Sequence, residues 1–228
     1  MFDAGSVIRP VSVLFSSLNG EIKRLSEHDR YEEFHREATV NSKREIASDL
    51  DSPRVRHHMS ASNFRIDEMI IRPICAQDRE RFLEFFKSLS PATNAFRFLA
   101  LKKRLLDEEL TFFTQPDGAQ HVALVALVNE NGHEFIVGTA RFIMLPEGTG
   151  GDDRAELAVT VADEFQGKGI GARLVLHLIP LARERGVEVF DLYASQGNTR
   201  IWRMVCRISQ RASRTFEGGV VHITFFLS

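Results

Sequence analysis

Residues 155–173 read AELAVTVADEFQGKGIGAR and concentrate the features most suggestive of chemistry. Gly167, Gly169 and Gly171 fall between a β-rich segment and an apolar, helix-forming one. Glycine permits backbone bends closed to other residues and removes side chains where a ligand approaches the main chain. The first amides of a helix have no intrahelical acceptors, and the macrodipole adds partial positive charge at that end. A strand, a glycine turn and a helix in succession therefore form a receptor for a pyrophosphate, with Lys168 and Arg173 adding cationic charge beside it. The plain alternative is a tight turn whose glycines serve packing alone, but three at one junction are more than packing usually needs.

The type of phosphate ligand follows from spacing. No GK[ST] follows a glycine at the distance a Walker A loop requires, so that motif is excluded. A dinucleotide fingerprint fits in its looser form, Gly167-x-Gly169-x-x-Ala172, with Asp191 about 20 residues further on. In that motif the glycines begin at the strand end, whereas here residues 162–166 intervene, and too little chain follows Gly171 for the rest of such a sheet. The nicotinamide reading is therefore demoted. Upstream of the turn, Glu156 shares a strand face with Ala158 and Thr160, opposite Leu157, Val159 and Val161. Glu164, next to the turn, would repel a pyrophosphate and reads as solvated.

The elements that must position this segment are legible from residue 68 onward. A strand is expected over 69–74, then an amphipathic helix over 77–89 with Phe82, Phe85, Phe86 and Leu89 on one face, closed by Ser90-Pro91. A second helix is expected to start at Asp107, capping the amide of Leu110, and to end before Pro116. Strands over 121–129 and 135–144 flank Asn131-Gly132, a strong hairpin signal. A loop over 148–153, a strand over 156–161, and a helix over 169–185 stopped by Gly186 follow. A strand over 187–193, a helix over 199–211 and a strand over 220–227 complete the chain. Hairpins mixed with crossover helices indicate an α/β sheet of mixed direction with helices packed on its faces.

Composition narrows the function classes. The chain has 228 residues and 25.8 kDa, 43% apolar and 26% charged, which suits one domain with an appendage. A net charge of −2 and a pI near 6.5 argue against a nucleic-acid surface. No run approaches the roughly 20 apolar residues of a membrane span, and no secretory signal is evident. Cys75 and Cys206 stand far apart, outside any CxxC, so no cysteine zinc site or disulfide framework is expected, and the compartment expected is the cytoplasm. Residues 1–67 are weakly periodic and charge-dense, and read as a partly helical or disordered arm ahead of a domain over 68–228. In that arm His57-His58 lacks a third ligand for a metal, and Met59 is a conceivable internal start.

The glycine turn resembles the acyl-CoA motif of the GCN5-related N-acetyltransferase (GNAT) family, Gln/Arg-x-x-Gly-x-Gly/Ala, met here by Gln166, Gly169 and Gly171. The flanking strand and helix fall where that family places them, and the resemblance covers residues 69–228. It is nearest to bacterial protein-lysine acetyltransferases that modify acetyl-CoA synthetase, through Ile71-Arg72-Pro73-Ile74 with Asp78, Phe96-Arg97-Phe98, Glu108-Glu109-Leu110 and Ala155-Glu156-Leu157-Ala158-Val159. Ile208-Ser209 departs from the Leu-Gly-Phe of many relatives, and Pro180 lies inside the motif helix.

The resemblance implies a mostly antiparallel central sheet with one splayed strand pair and helices on both faces. It also implies acetyl-CoA as acyl donor, with no metal. The pantetheine arm would pair with backbone near Val159 and Val161. Amides from Gln166 through Gly167, Lys168, Gly169 and Gly171 to Ala172 would hold the pyrophosphate, and Asn198 would contact the coenzyme arm. Glu156 matches the position of an acid in the related branch and is the candidate general base. Its bland alternative is a strand-end carboxylate paired with Arg154. The acceptor implied is a protein lysine, with a small amine or peptide N-terminus as the alternative, and a silent acyl-CoA-binding module as the rival of another class. Tyr193 is the one tyrosine of the domain, and no general acid is assigned. Cys206 is expected to be buried and structural rather than nucleophilic. Lys102, Lys103 and Arg104 read as a solvated run, or as contacts to a 3′-phosphate or to an acidic protein partner. The oligomeric state is open.

Overall fold

Asn131 and Gly132 adopt φ of 52° and 84°, the paired left-handed conformation of a tight two-residue hairpin turn. They join β2 (His121–Glu130) to β3 (His133–Met144), the longest pair of the sheet. The computed structural model describes residues 65–98, 102–145 and 153–227. The domain boundary expected at residue 67 thus falls at the start of the described chain, while residues 1–64 and most of the expected 148–153 loop lie outside it.

Around the hairpin, β1 (Ile70–Pro73) pairs with β2, and β4 (Arg154–Val161) pairs with β3, both antiparallel. β5 (Val189–Ser195) lies parallel to β4, and β7 (Val220–Phe226) runs antiparallel to β5. β6 (Ala212–Glu217) pairs with β7 at the far edge, giving a seven-stranded sheet in the order β1-β2-β3-β4-β5-β7-β6. One junction in it is parallel, that of β4 with β5, and its register stops after Arg154↔Val189, Ala155↔Phe190 and Glu156↔Asp191. The expected mixed sheet with a splayed pair is what the chain forms.

Helices cover both faces. On one, α1 (Arg79–Ser88), α2 (Pro91–Phe98) and α3 (Asp107–Thr114) lie above β3, β4 and β5. The phenylalanines spaced along α1 are buried, and Phe82 stacks on Phe113 of α3 with centroids 5.4 Å apart. On the other face, α4 (Ile170–Arg183) buries Ile170, Leu174, Val175 and Leu178. A Cβ added at Gly138 of β3 would lie 3.1 Å from the Leu174 side chain, so this glycine sets how closely α4 approaches the sheet. Finally, α5 (Thr199–Ile208) packs beside α4. Burying each such apolar side chain contributes about 1.5–3 kcal/mol.

Three local expectations change and one holds. Ser90-Pro91 ends α1 but also starts α2: the Ser90 hydroxyl accepts the Thr93 amide at 3.1 Å, and proline suits a first helical turn because its missing N–H is not needed there. Asp107 is not the cap of α3. It is paired with Arg79, while the Glu109 carboxylate accepts the Leu106 amide at 2.9 Å. Helix α5 stops at Ile208 because the Ser209 hydroxyl donates to the Phe226 carbonyl at 2.9 Å and accepts the Arg211 amide at 3.2 Å, turning the chain into β6. Helix α4 runs through Pro180 to Arg183, and Gly186, at φ 79°, provides the expected left-handed stop.

Candidate active site

Beyond Glu156 and Asp191 the parallel strands share no further ladder pair. The Ala162 amide donates to the Val137 carbonyl of β3 at 2.9 Å. Backbone amides alternate in direction along a strand, so those of Thr160 and Ala158 also face β3. The amides of Val159 and Val161 therefore point into the gap toward β5. The resulting cleft is lined by Glu156 and Val159 of β4, Tyr193 of β5, Asn198 at the start of α5, and Phe96 and Arg97 of α2.

The glycine turn closes one end of this gap. Gly167 and Gly169 have φ of 78° and 85°, a region that favours glycine, and Gly169 stands at the N-cap of α4. Gly171 differs: a Cβ there would make ordinary contacts at 3.4 Å with Met204 and 3.6 Å with Val159 and Val161, so packing alone does not require glycine. The amides of Ile170, Gly171 and Ala172 open the helix without intrahelical acceptors.

Gln166 acts within the protein. Its amide donates to the Asp163 carbonyl at 3.2 Å, and its side-chain nitrogen donates to the Val161 carbonyl and the Thr93 hydroxyl, each at 3.0 Å. Its side-chain oxygen accepts a hydrogen bond from Arg200. Asp163 accepts the Ser90 amide at 2.8 Å and the Ser90 and Thr93 hydroxyls, each at 2.7 Å. The turn is thus bolted to the start of α2. Arg173 donates to the Ile66 carbonyl at 3.3 Å and lies 3.5 Å from Asp67. Lys168 is half-buried in the turn and Glu164 is exposed, as expected.

The sheet face under α1, α2 and α3 is polar around Glu156. Glu156 is buried, at 6% exposure. Arg154 makes a bidentate pair with Asp191 at 2.9 and 2.7 Å. Asp191 also accepts Thr224 and contacts His222 Nε2, both at 2.7 Å. Burial opposes its charge, but these hydrogen bonds prevail and hold its carboxyl below the usual range. Tyr193 stacks on His222 at 4.6 Å, and burial, then the charges of Asp191 and Glu156, push its hydroxyl up to about 12. Arg141 of β3 is buried against the Phe113 ring, donates to the Phe113 carbonyl at 3.3 Å and lies 3.2 Å from His121 Nε2.

A cleft between one parallel strand pair that parts after three registered residues, with a left-handed glycine turn at its mouth, is the geometry implied by the sequence motif. The family model of GNAT acetyltransferases matches residues 83–205. The chain belongs to the GNAT acetyltransferase family. An acetyltransferase of Pseudomonas aeruginosa is 37% identical over 140 residues, covering 61% of this chain and 73% of the relative. Acetyltransferase Pat of Mycolicibacterium smegmatis is 31% identical over 140 residues, and the matched part is 60% of this chain but 40% of that protein. Among solved structures, the GNAT domain of S. lividans PAT superposes with a TM-score of 0.61 at 30% identity, covering 68% of this chain and 89% of that one. A Salmonella typhimurium protein solved with acetyl-CoA shares the fold at a TM-score of 0.55 and 21% identity, over 71% of this chain and 95% of that one. The GNAT chain described here is an acetyltransferase that uses acetyl-CoA as donor. Among the described residues no cluster suits a metal ion, and no helix is long and apolar enough to cross a membrane.

Other sequence-level candidates find different places. Cys206 is exposed, not buried, because the apolar face of α5 is made by Ile201, Val205 and Ile208. Lys102 pairs with Glu109 at 2.6 Å, and its backbone is held by the Asn94 side chain at 2.7 and 3.0 Å, so it braces α3 to α2. The sequence points to Arg97 only through the Phe96-Arg97-Phe98 likeness, because the Ser90-Pro91 stop signal hides the helix that brings it to the cleft wall.

Proposed function

We propose that this GNAT acetyltransferase transfers the acetyl group to a lysine amine of a protein, within a ternary complex over residues 68–228. Glu156 is the general base of the reaction. The observation that carries the reading is the placement of the buried Glu156 carboxylate on the cleft wall where β4 and β5 part. The closeness of the motifs to the protein-lysine branch supports lysine as the acceptor.

A lysine amine is protonated near neutral pH, with a reference pKa of about 10.4, and only the neutral form attacks a carbonyl. Glu156 takes the ammonium proton, the neutral nitrogen then bonds to the thioester carbon, and the proton that this nitrogen sheds afterwards passes to solvent. The carbonyl electrons move to oxygen, where a strand amide facing the gap stabilises the oxyanion. Collapse of this intermediate breaks the carbon–sulfur bond and releases coenzyme A thiolate. The donor is held along Val159 and Val161, with Asn198 against its arm. Its pyrophosphate lies on the amides of residues 167–172, in a turn whose shape Gln166 maintains.

The test incubates purified protein with acetyl-CoA and a cell extract, identifies acetylated acceptors by mass spectrometry, and follows thiol release with each. Acetylated lysines in proteins are expected. Acetylation confined to small amines, or tight coenzyme binding with no turnover, overturns the lysine assignment. Glu156→Gln should lower kcat by about two to four orders of magnitude while coenzyme affinity measured by calorimetry is retained. An unchanged kcat removes Glu156 from the role.

A further inference from the structure

Tyr193 of β5 and His222 of β7 stand directly opposite each other in the antiparallel register, and their rings stack with centroids 4.6 Å apart and planes 7° from parallel. The sheet order here is β4-β5-β7, so a Tyr193 ring with one face on His222 turns its other face back toward β4. That is the side on which β4 and β5 part, and Tyr193 lines the cleft there together with Glu156. The two side chains share one face of the sheet: Glu156 is in register with Asp191, and Tyr193 follows Asp191 by two residues.

This ring is held in a fixed attitude. His222 Nε2 lies 2.7 Å from Asp191 Oδ1, and Asp191 also accepts Thr224 at 2.7 Å and Arg154 at 2.9 and 2.7 Å. The stack is thus anchored to a buried carboxylate whose charge is answered inside the network. The face of an aromatic ring carries the negative side of its quadrupole and attracts a cation lying within about 6 Å of the ring centre. Phe96 and Ala158, on the same cleft wall, give apolar surface for the stem of such a cation. Arg97, also on that wall, has its guanidinium 5.1 Å from the Phe98 ring centre and 5.8 Å from that of Phe113. The cleft therefore joins an aromatic face to a carboxylate, with apolar surface beside them, which is the chemistry that receives an alkylammonium group.

We propose that Tyr193 is a specificity-determining residue for the acceptor: the cleft-side face of its ring receives the ammonium group of the incoming lysine in front of Glu156. The role rests on the reading of a lysine acceptor with Glu156 as base. It adds how the amine is selected while still charged, before its proton is taken. The attraction comes from the ring face, so it favours a cation over an uncharged chain of the same length.

The first test needs no turnover. In the full chain labelled with 13C in its tyrosine rings, signals arise from Tyr31 and Tyr193, and those of Tyr193 are assigned by their loss in Tyr193→Phe. With coenzyme A present, the protein is titrated with Nα-acetyl-lysine methylamide, with its Nε-trimethyl form, and with the norleucine counterpart. The trimethyl form keeps the charge but has no proton to give Glu156, and norleucine keeps the stem without the nitrogen. Both cations should shift the Tyr193 signals to saturation, and norleucine should not. Signals unmoved by both cations, or moved as far by norleucine, overturn the proposal. A shift with lysine alone overturns it too, since hydrogen bonding rather than charge would then select the amine. In a thiol-release assay with the lysine probe, Tyr193→Leu should raise KM about three- to thirty-fold, the loss falling on KM rather than kcat. Tyr193→Phe restores an aromatic face and should bring KM back; an unchanged KM in Tyr193→Leu overturns the proposal. If Tyr193→Leu does not fold, the ring titration decides alone. Cation-dependent ring shifts with no acetylated lysine in any protein would remove the lysine reading and leave cation recognition standing. Acetylated lysines with a silent ring would do the reverse.

Discussion

Tyr193 lines the cleft and is the one tyrosine of the described residues, so it is the natural place to look for a proton donor to the leaving thiolate. Its environment argues otherwise. With its hydroxyl pushed up to about 12 by burial and by Asp191 and Glu156, it holds its proton more tightly than a thiol, whose reference pKa is about 8.5. Proton transfer from Tyr193 to a thiolate therefore runs uphill, and the thiolate is stable enough to leave unprotonated. Tyr193→Phe keeps the ring stacked on His222 and should retain at least about a third of kcat in a thiol-release assay. A loss of more than about 100-fold, in the range typical of a missing general acid, would assign Tyr193 that role. Asp191, opposite Glu156 in the parallel register, is bonded by Arg154, His222 and Thr224, and Glu156 lines the cleft.

Helix α2 shows what a short element contributes when its attachments are polar. Asp163 receives three hydrogen bonds from Ser90 and Thr93, and Asp163→Ala removes all of them. The expected loss is about 1–3 kcal/mol in denaturant unfolding, because water replaces part of what is lost at this exposed edge. Coenzyme binding should weaken as well, since the turn loses its brace; unchanged affinity by calorimetry would show that the turn stands without α2. The sequence disclosed this element poorly. Ser90-Pro91 reads as a stop, and it is one for α1, but the same pair is also a serine cap and a proline in the first turn of the next helix. Edge strand β6 was missed for a different reason: Ala212–Glu217 is almost wholly exposed, so no alternation of apolar and polar residues marks it. The features that were legible are those fixed by local backbone chemistry or by a buried stripe. They include the Asn131-Gly132 turn, the α1 phenylalanines, the glycine turn and the Gly186 stop. Arg97 and the Arg154–Asp191 pair depend on contacts between distant segments, which spacing along the chain does not encode.

Across the whole molecule, stability should depend on pH in two stages. His121 is buried beside Arg141, and burial first, then that positive charge, depresses its pKa to about 3. The unfolded chain takes up this proton below about 6.5 while the folded one refuses it, so stability falls as pH drops from about 6.5 to about 3. Asp78 acts in the same direction at lower pH: burial favours its neutral form, but hydrogen bonds from Arg72 and the Cys75 amide outweigh it and hold the group at about 2. Its contribution is complete above about 3.8 and is lost as pH falls toward about 2. Melting temperature should therefore slope gently below pH 6.5 and steeply below pH 4. His121→Gln, which still offers Arg141 an acceptor, should flatten the first slope, and an unaltered slope between pH 6.5 and 4.5 would assign it to another group. The early parting of β4 and β5 reaches further than the chemistry at its edge. Under the proposed reading, the fold is one rung short of a continuous ladder, and the donor molecule supplies that rung through its own amides. Deuterium should enter the Val159 and Val161 amides quickly in the empty enzyme and slowly once acetyl-CoA is added, so the substrate finishes the architecture that will consume it.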